Sequence, residues 1–442
     1  MDILIVGCGI AGSALASFLL LDATDAQKKT MRITVLERAA ELRPYGQNVD
    51  VRGYGVEMLR RLGLEAAVRA STTGEEGVQL VDAYHRVWAA SEADKTGRVQ
   101  TPTSDIEILR GRLAELCWQR SMQLSDACKA AGGHGITYVF GDSVASLEQV
   151  AAAAAADGGG GAKVRVRFAR SGREQTYDVV VGADGSQSQT RRLAWGAAHE
   201  ARAVRGLGVY GAFFSVPRQD HDTKWRKWFH TTGGRAVMLR PDARGERSTV
   251  FMTVMNSTDP RLPAAAALLR NHQRHDKAEE SKALMREYFA GTGWETDRIL
   301  RGMDDAHDFY YDALVQVKME RWSTGRVVLV GDAGYCASPM SGMGTTLALT
   351  GACALARALL RHQDAPERAL AEYEAEMRPV AARSQRLAPG MPRLMHPQAL
   401  WELLLLHGLL FLLKRSGVFA LLAMFFGPPA DKISLEQDSS VQ

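Results

Sequence analysis

The sequence is short of cysteine and of any grouping that would give cysteine a task. Its five thiols, Cys8, Cys117, Cys128, Cys336 and Cys353, are odd in number and include no C-x-x-C pair. That argues against a disulfide framework or a structural zinc site, so no metal is expected, and it fits a reducing compartment. An excess of one charge is missing too: 54 Lys and Arg face 50 Asp and Glu, a formal +4 spread without a basic block. No footprint for nucleic acid follows from it, while a small anionic ligand stays open. The start, Met1-Asp2-Ile3-Leu4-Ile5-Val6-Gly7, has no basic stretch and no cleavage motif, so the expectation is a cytoplasmic protein whose first residues already form a strand. The composition, 46% hydrophobic and 24% charged, excludes a disordered or collagen-like chain. At about 150 residues per domain, the length allows two or three domains or one large α/β body with an insertion.

What is present begins with a βαβ unit. Strand Ile3–Val6, a glycine turn, helix Ala11–Leu21 and strand Ile33–Leu36 follow one another, with short apolar strands of the buried parallel type. Helical periodicity continues over 54–70 and 106–131. From Ile136 the pattern turns to alternation, and Thr137–Phe140, Ala145–Val150, Val164–Phe168 and Tyr177–Val181 are expected as antiparallel strands. The alanine run 151–156 with the glycines 158–161 reads as an expanded hairpin loop. Alternation returns over 203–256, clearest in Val209–Val216, Ala236–Leu239 and Thr249–Val254, and 262–292 is helical. Strand Val327–Val330 and the apolar helix Thr345–Leu360 then return to the first body. The fold class is therefore α/β with an α+β insert: a discontinuous nucleotide-binding domain (1–75, 100–200, 300–385), a β-sheet substrate domain (76–99, 201–299), and C-terminal apolar helices with a polar tail (386–442).

Three motifs carry the chemistry. Gly7-Cys8-Gly9-Ile10-Ala11-Gly12 is a G-x-G-x-x-G between strand and helix. Its glycines allow a tight turn, close approach to a pyrophosphate, and helix–strand packing, and the helix N-terminus favours phosphate. Glu37, at the end of the second strand, suits the ribose hydroxyls of an adenosine and disfavours a 2′-phosphate. No second fingerprint follows a strand, so one dinucleotide is held and no separate nicotinamide fold is present. Asp178 to Arg191 ends a strand in D-G-x-x-S-x-x-R, and Gly331-Asp332-Ala333 leads into Pro339-Met340-Ser341-Gly342-Met343-Gly344-Thr345.

In this order, over roughly residues 1–385, the three resemble the signatures of single-component FAD-dependent, aromatic-hydroxylase-like monooxygenases. Gly46-Gln47-Asn48-Val49-Asp50-Val51-Arg52-Gly53 and Gly331-Asp332-Ala333 are similar to phrases of the subgroup that holds tetracycline-inactivating and fungal secondary-metabolite monooxygenases. The resemblance implies FAD as cofactor and NADPH or NADH as transient co-substrate. It also implies a function: hydroxylation of a small aromatic or polycyclic metabolite with O2 through a flavin C4a-hydroperoxide. Epoxidation, oxygen insertion beside a ketone, or a flavin protein without oxygenase turnover remain as alternatives. The cofactor residues it implies are Gly9, Ala11, Gly12, Glu37, Arg38, Arg110, Asp184, Asp332, Gly342, Gly344 and Thr345; Asp184 and Arg191 would serve both FAD and the visiting nicotinamide, with a strand-ending turn and a structural salt bridge as their other reading. Arg110 has a surface pairing with Glu107 or Glu115 as its other reading, and Arg38 a solvated one. The family pattern often has His and Asp where this chain has Tyr335 and Gly351, which puts a mechanism through that His in doubt.

No catalytic base stands out by spacing. Tyr210 and Arg205, on a strand expected to face the flavin, are the catalytic candidates, with Arg52 near the ring. Trp225, Trp228, Phe229 and Gly233-Gly234 suggest a wall for an apolar substrate. Residues 399–426 have the length of a membrane span, but Lys414 and Arg415 near the middle oppose insertion by about 2.5–3.5 kcal/mol each. Two short helices around Gly408 and Gly417 are expected instead, packing on the body, lying in a membrane interface or forming a dimer.

Overall fold

The computed structural model describes residues 1–42, 46–93, 104, 106–150, 162–270 and 275–415. A six-stranded sheet runs in the order Ser323–Thr324, Val327–Leu329, Val179–Gly182, Asp2–Val6, Arg32–Glu37, Ile136–Phe140, parallel except at the first pair. The central strand shows why it forms. Ile3 and Ile5 enter a core with the helices Ile10–Asp22, Arg110–Ala130 and Gly344–Arg361, while Leu4 and Val6 enter a second core under a three-stranded antiparallel sheet. That small sheet is Glu174–Tyr177, Lys163–Phe168 and Val144–Val150. A strand buried on both faces must be apolar there, and this one is from Ile3 to Val6.

The second layer is a seven-stranded sheet: Tyr310–Val317, Val204–Pro217, Arg247–Val254, Arg235–Pro241, Trp225–Thr231, Gly77–Val81, Val87–Glu92. One face packs Ala212, Phe214, Val216, Val237, Leu239 and Met252 against the helices Arg261–Arg270, His275–Phe289 and Thr296–Asp304. Period-two alternation then turns Phe213, Met238 and Phe251 the other way, toward the first layer.

Several expectations change. Ile106–Leu109 is a strand paired with Asn48–Val51, and the helix begins only at Arg110. Ile136–Phe140 and Val179–Gly182 are parallel strands of the large sheet, so only the hairpins between them are antiparallel. Tyr310–Val317, expected in the first domain, belongs to the seven-stranded sheet through Val204–Pro217. The alanine–glycine run 151–161 lies outside the described residues, although the strands flanking it pair at Val150 and Lys163.

The C-terminal helix Leu400–Arg415 continues through Gly408, without the break expected there. It packs against Val87–Glu92 and Trp225–Thr231, with His407 and Trp88 rings 5.1 Å apart. Its outer face leaves Trp401, Leu404, Leu405, Leu409, Phe411 and Leu412 exposed. Among the described residues no helix is long and apolar enough to cross a membrane; the second apolar stretch, around Gly417, lies outside them.

Three histidines are buried here, His407 on the inner side of this helix and His230 and His396 near it. His396 contacts Thr253 Oγ1 through Nε2 at 3.0 Å, and His230 lies 4.8 Å from the Trp228 ring with no hydrogen bond to either ring nitrogen among the described residues. Burial, helped by His396 and His407, pushes His230 down from 6.5 to about 3. The unfolded chain therefore binds one more proton between those values, and stability is present above about pH 6.5 and lost as the pH falls below it. Moving from near pH 7.5 to near pH 5 should remove about 2 kcal/mol through His230 alone. Urea unfolding at the two pH values measures this, and an unchanged difference in the His230→Phe variant would refute the assignment.

Candidate active site

A cavity of about 740 Å³ lies between the layers. Its first end is backbone. Gly7, at φ 109°, turns the chain out of strand Asp2–Val6, and Gly12 lies so close behind it that a Cβ there would meet Gly7 O at 2.0 Å. The helix Ile10–Asp22 consequently opens with Gly9 as N-cap and no side-chain cap. A Cβ on Gly9 would meet nothing within 4 Å, because that space is the cavity. Glu37 fastens the turn by accepting from Cys8 N and Ala39 N, both at 3.0 Å.

A second bare N-terminus faces the same space. Helix Gly344–Arg361 starts without a side-chain cap, and Asp332, Gly342, Gly344 and Thr345 all line the cavity. Gly342 has φ 62°, a backbone conformation that favours glycine, and lies beside Asp50 and Arg52: a Cβ there would sit 3.4 Å from Asp50 Oδ2 and 3.5 Å from Arg52 Nε. Arg52 is buried and pairs with Asp50 at 3.1 Å. Burial opposes the charge of Asp50, but Arg52, Arg226 and Arg240 hold its carboxyl below the usual range. Arg110 lines the cavity; its backbone N–H donates to Gln47 O at 2.9 Å, while its guanidinium makes no hydrogen bond or ion pair with another described residue. Arg38 lines it as well.

The far end is the open face of the seven-stranded sheet. Phe213 and Phe251 stack at 4.1 Å, and with Trp228, Met238, Met391 and Met395 they make an apolar wall interrupted by Arg226 and Arg240. Two orphaned polar atoms also mark this cavity. Asn48 Oδ1 and Thr249 Oγ1 are buried without a protein partner among the described residues, and both residues line it. Such atoms await a ligand or water.

Of the residues expected from the sequence, Gly9, Ala11, Glu37, Arg38, Arg110, Asp184, Asp332, Gly342, Gly344 and Thr345 converge on this one cavity. Gly12 does not line it and acts by packing. Asp184 contributes its edge, but its carboxylate is spent on Thr190 N and Oγ1 at 2.9 Å and Ser188 Oγ at 2.5 Å, capping the helix Gln189–Trp195. Arg191 is fully buried, held by Glu200, Ala333 O and Ser186 O, and has no face on the cavity. It is a structural tie, so of its two readings the salt bridge holds and the cofactor role does not.

Both catalytic candidates lie elsewhere. Tyr210 packs on the helix-covered face of its sheet, and Arg205 is exposed beyond the irregularity between Gly206 and Tyr210. Neither lines the cavity. Trp225 and Phe229 do not line it either, whereas Trp228 does. The residues missed are Gln47, Asn48, Arg226, Arg240 and Thr249. The first two sat inside a quoted motif, and Arg226, two before Trp228 on one strand, shares its face.

These features place the chain in a class: an FAD-dependent oxidoreductase whose cofactor and substrate would share one interlayer cavity. The comparisons agree. Residues 1–388 match the family described as "FAD binding domain", and the chain belongs to that family. It is 34% identical over 396 residues to an FAD-dependent monooxygenase of Sarocladium schorii, covering 88% of this chain and 87% of that one. It is 32% identical over 442 residues to a monooxygenase of Cercospora beticola, covering 98% and 97%. Among solved structures it is similar to tetracycline destructase Tet(51), at 26% identity, TM-score 0.72 and 99% coverage of both chains. Klebsiella pneumoniae HpxO complexed with FAD and uric acid, 19% identical with TM-score 0.68 over 97% of each, shares the fold. The protein is an FAD-dependent monooxygenase.

The departure at Tyr335 and Gly351 is a packing exchange. The Tyr335 hydroxyl is 2.9 Å from that of Tyr373, which donates to Leu329 O at 3.0 Å, and a Cβ on Gly351 would meet Tyr335 Oη at 2.0 Å. Gly351→Ala should therefore destabilise the protein by about 1–3 kcal/mol through overpacking. Tyr335→Phe in the same chain should recover part of that in thermal denaturation; no recovery would mean the clash lies elsewhere.

Proposed function

We propose that the protein hydroxylates a small, largely apolar aromatic or polycyclic metabolite, using FAD, NADPH or NADH, and O2. The observation that carries this reading is the continuity of the cavity: two bare helix N-termini at one end and an aromatic sheet face at the other.

The chain fits FAD. Gly9, Ala11 and the N-terminus of Ile10–Asp22 would take the pyrophosphate, with no Cβ in the way. Glu37 would hold the adenosine ribose, Arg38 the adenine edge, and Arg110 the phosphates or ribityl chain, for which a guanidinium fork is suited. Asp332 would accept from ribityl hydroxyls. The amides at Gly342, Gly344 and Thr345 would face the ring edge that gains negative charge, where a helix N-terminus is stabilising. Bound FAD, reduced by a nicotinamide and exposed to O2, supplies the oxygen atom for transfer.

The remaining residues bind and shield. Phe213, Trp228, Met238 and Phe251 would exclude water and hold the substrate's apolar body, while Thr249 Oγ1 and Asn48 Oδ1 offer buried polar contacts. The exposed apolar stripe of Leu400–Arg415 supports contact with a membrane interface or a second copy. Vesicle sedimentation and gel filtration separate the two.

The test begins with the absorbance spectrum of the purified protein and anaerobic addition of NADPH or NADH across phenolic and polycyclic compounds. Flavin absorbance that bleaches faster with one compound, followed by a product carrying ¹⁸O from ¹⁸O2, is the expected result. Absence of flavin after reconstitution, or flavin that neither nicotinamide reduces, would overturn the reading. Gly9→Ala should leave the melting temperature of the flavin-free protein unchanged and weaken FAD by at least about tenfold, since about 1.4 kcal/mol of lost phosphate contact suffices.

A further inference from the structure

The helix Leu400–Arg415 departs from the pattern of a surface helix. Its inner side packs on the strands Val87–Glu92 and Trp225–Thr231, with His407 buried there, so its outer side should be polar. Here the outer side is apolar as well. Of the twelve large apolar side chains that stand exposed among the described residues, seven lie from Leu400 to Leu412 and are 46–66% exposed. An eighth, Leu394 at 57%, lies on the turn Arg393–Met395 that precedes the helix. Over residues 403–413 the one polar side chain is that of His407. At 3.6 residues per turn the exposed positions spread from Leu400 on one flank to Leu409 on the other, an arc of about 180°.

That width decides among the occupants. A helix from a second copy of the chain fills a seam narrower than this arc and would leave its flanks in water. The chain's own next apolar run, residues 418–426, has no polar side chain, so laid on the stripe it would present an equally apolar outer surface. A bilayer surface covers the whole arc at once. Length agrees with a helix that lies on the membrane: spanning takes about 20 apolar residues, and no described helix is long and apolar enough to cross. The protein body then stands where an interfacial helix has its polar face.

The charges favour an anionic surface. Residues 393–429 hold Arg393, Lys414 and Arg415 against a single acid, Glu402. That acid is engaged within the protein, accepting from Arg393 Nη2 and from Gln398 N, both at 2.6 Å. Lys414 and Arg415 close the helix, and anionic headgroups attract basic side chains so placed. Trp401, 66% exposed near the other end, is of the residue type that settles at membrane–water boundaries.

We propose that the helix Leu400–Arg415, with Leu394, docks in the plane of an anionic bilayer surface, held by its apolar arc and its basic end. This commits the stripe to lipid, and it does not rest on the hydroxylase reading of the cavity.

The experiment uses the full FAD-loaded chain without substrate. Flotation is measured with vesicles of phosphatidylcholine alone and of phosphatidylcholine with about 30% phosphatidylserine, and the wild type should bind the anionic vesicles at least about tenfold more tightly. Leu405→Asp combined with Leu412→Asp should weaken that binding at least about tenfold, with flavin content and melting temperature unchanged because both side chains are exposed. Lys414→Gln combined with Arg415→Gln should remove the preference for anionic vesicles and leave binding to neutral ones as it was. Brominated lipid should quench part of the tryptophan emission of the wild type and none of that of Trp401→Phe. A wild type that ignores vesicles or binds both kinds equally would overturn the proposal, whether or not a variant folds. Binding that survives the two aspartates, or quenching that persists in Trp401→Phe, would overturn it too. So would a dimer in gel filtration that the aspartates split, which assigns the stripe to a second copy. Flavin reduction enters none of these readouts, so the hydroxylase reading stands or falls separately.

Discussion

The approach of the helix Ile10–Asp22 to the strand before it is the constraint on which the rest depends. Gly12 sits where a Cβ would be 2.0 Å from Gly7 O, and Gly7 where one would be 2.6 Å from Ala183 O, so three segments meet at backbone contact. Gly331 closes the same junction from the other side, with room for a Cβ only at 3.2 Å from Ala11 Cβ. Because these backbones touch, the parallel strands end together and two helices open toward one space without capping side chains. Uncapped amides and aligned dipoles make that space favourable to phosphate and to a ring that gains negative charge.

The opposite wall is built on a different principle. Moving charges out of water is expensive, and a buried ion pair is weak evidence for stability. Arg226, Glu75 and Glu107 are nonetheless almost wholly buried, and every one of them meets a partner of opposite sign. Removing a single partner would leave an uncompensated charge, at about 3–5 kcal/mol. An apolar wall of the same volume would fold as well. What it would lack is the two arginines, Arg226 and Arg240, that line the apolar half of the cavity.

The sequence was legible where the backbone decides. The glycine fingerprint, Glu37, Asp332 and the Gly342–Gly344 turn work through position in the chain and through the absence of side chains, and all but Gly12 were found lining the cavity. It was less legible where pairing decides. Ile106–Leu109 reads as the first turn of a helix because the helix follows at once, and only its partner Asn48–Val51, far away in sequence, makes it a strand. Ile136–Phe140 alternates like an antiparallel strand, yet lies parallel at the edge of the large sheet, where one neighbour suffices.

The misplacement of Tyr210 shows why the substrate half of the cavity resisted reading. Which face a strand residue occupies is a matter of parity, and alternation alone does not say which parity meets the cavity. Between Gly206 and Tyr210 the pairing with Tyr310–Val317 takes in two extra residues, which keeps parity, and Tyr210 stays on the face of Ala212 and Phe214. Phe213, three residues on, faces the cavity, and Tyr210 faces the helices. The cofactor half is written in glycines and in single side chains at strand ends, such as Glu37 and Asp332, whereas the substrate half is written in the pairing between strands. Arg226 and Arg240 become functional candidates only because the pairing of Trp225–Thr231 with Arg235–Pro241 sets them on one face, over two glutamates from distant parts of the chain.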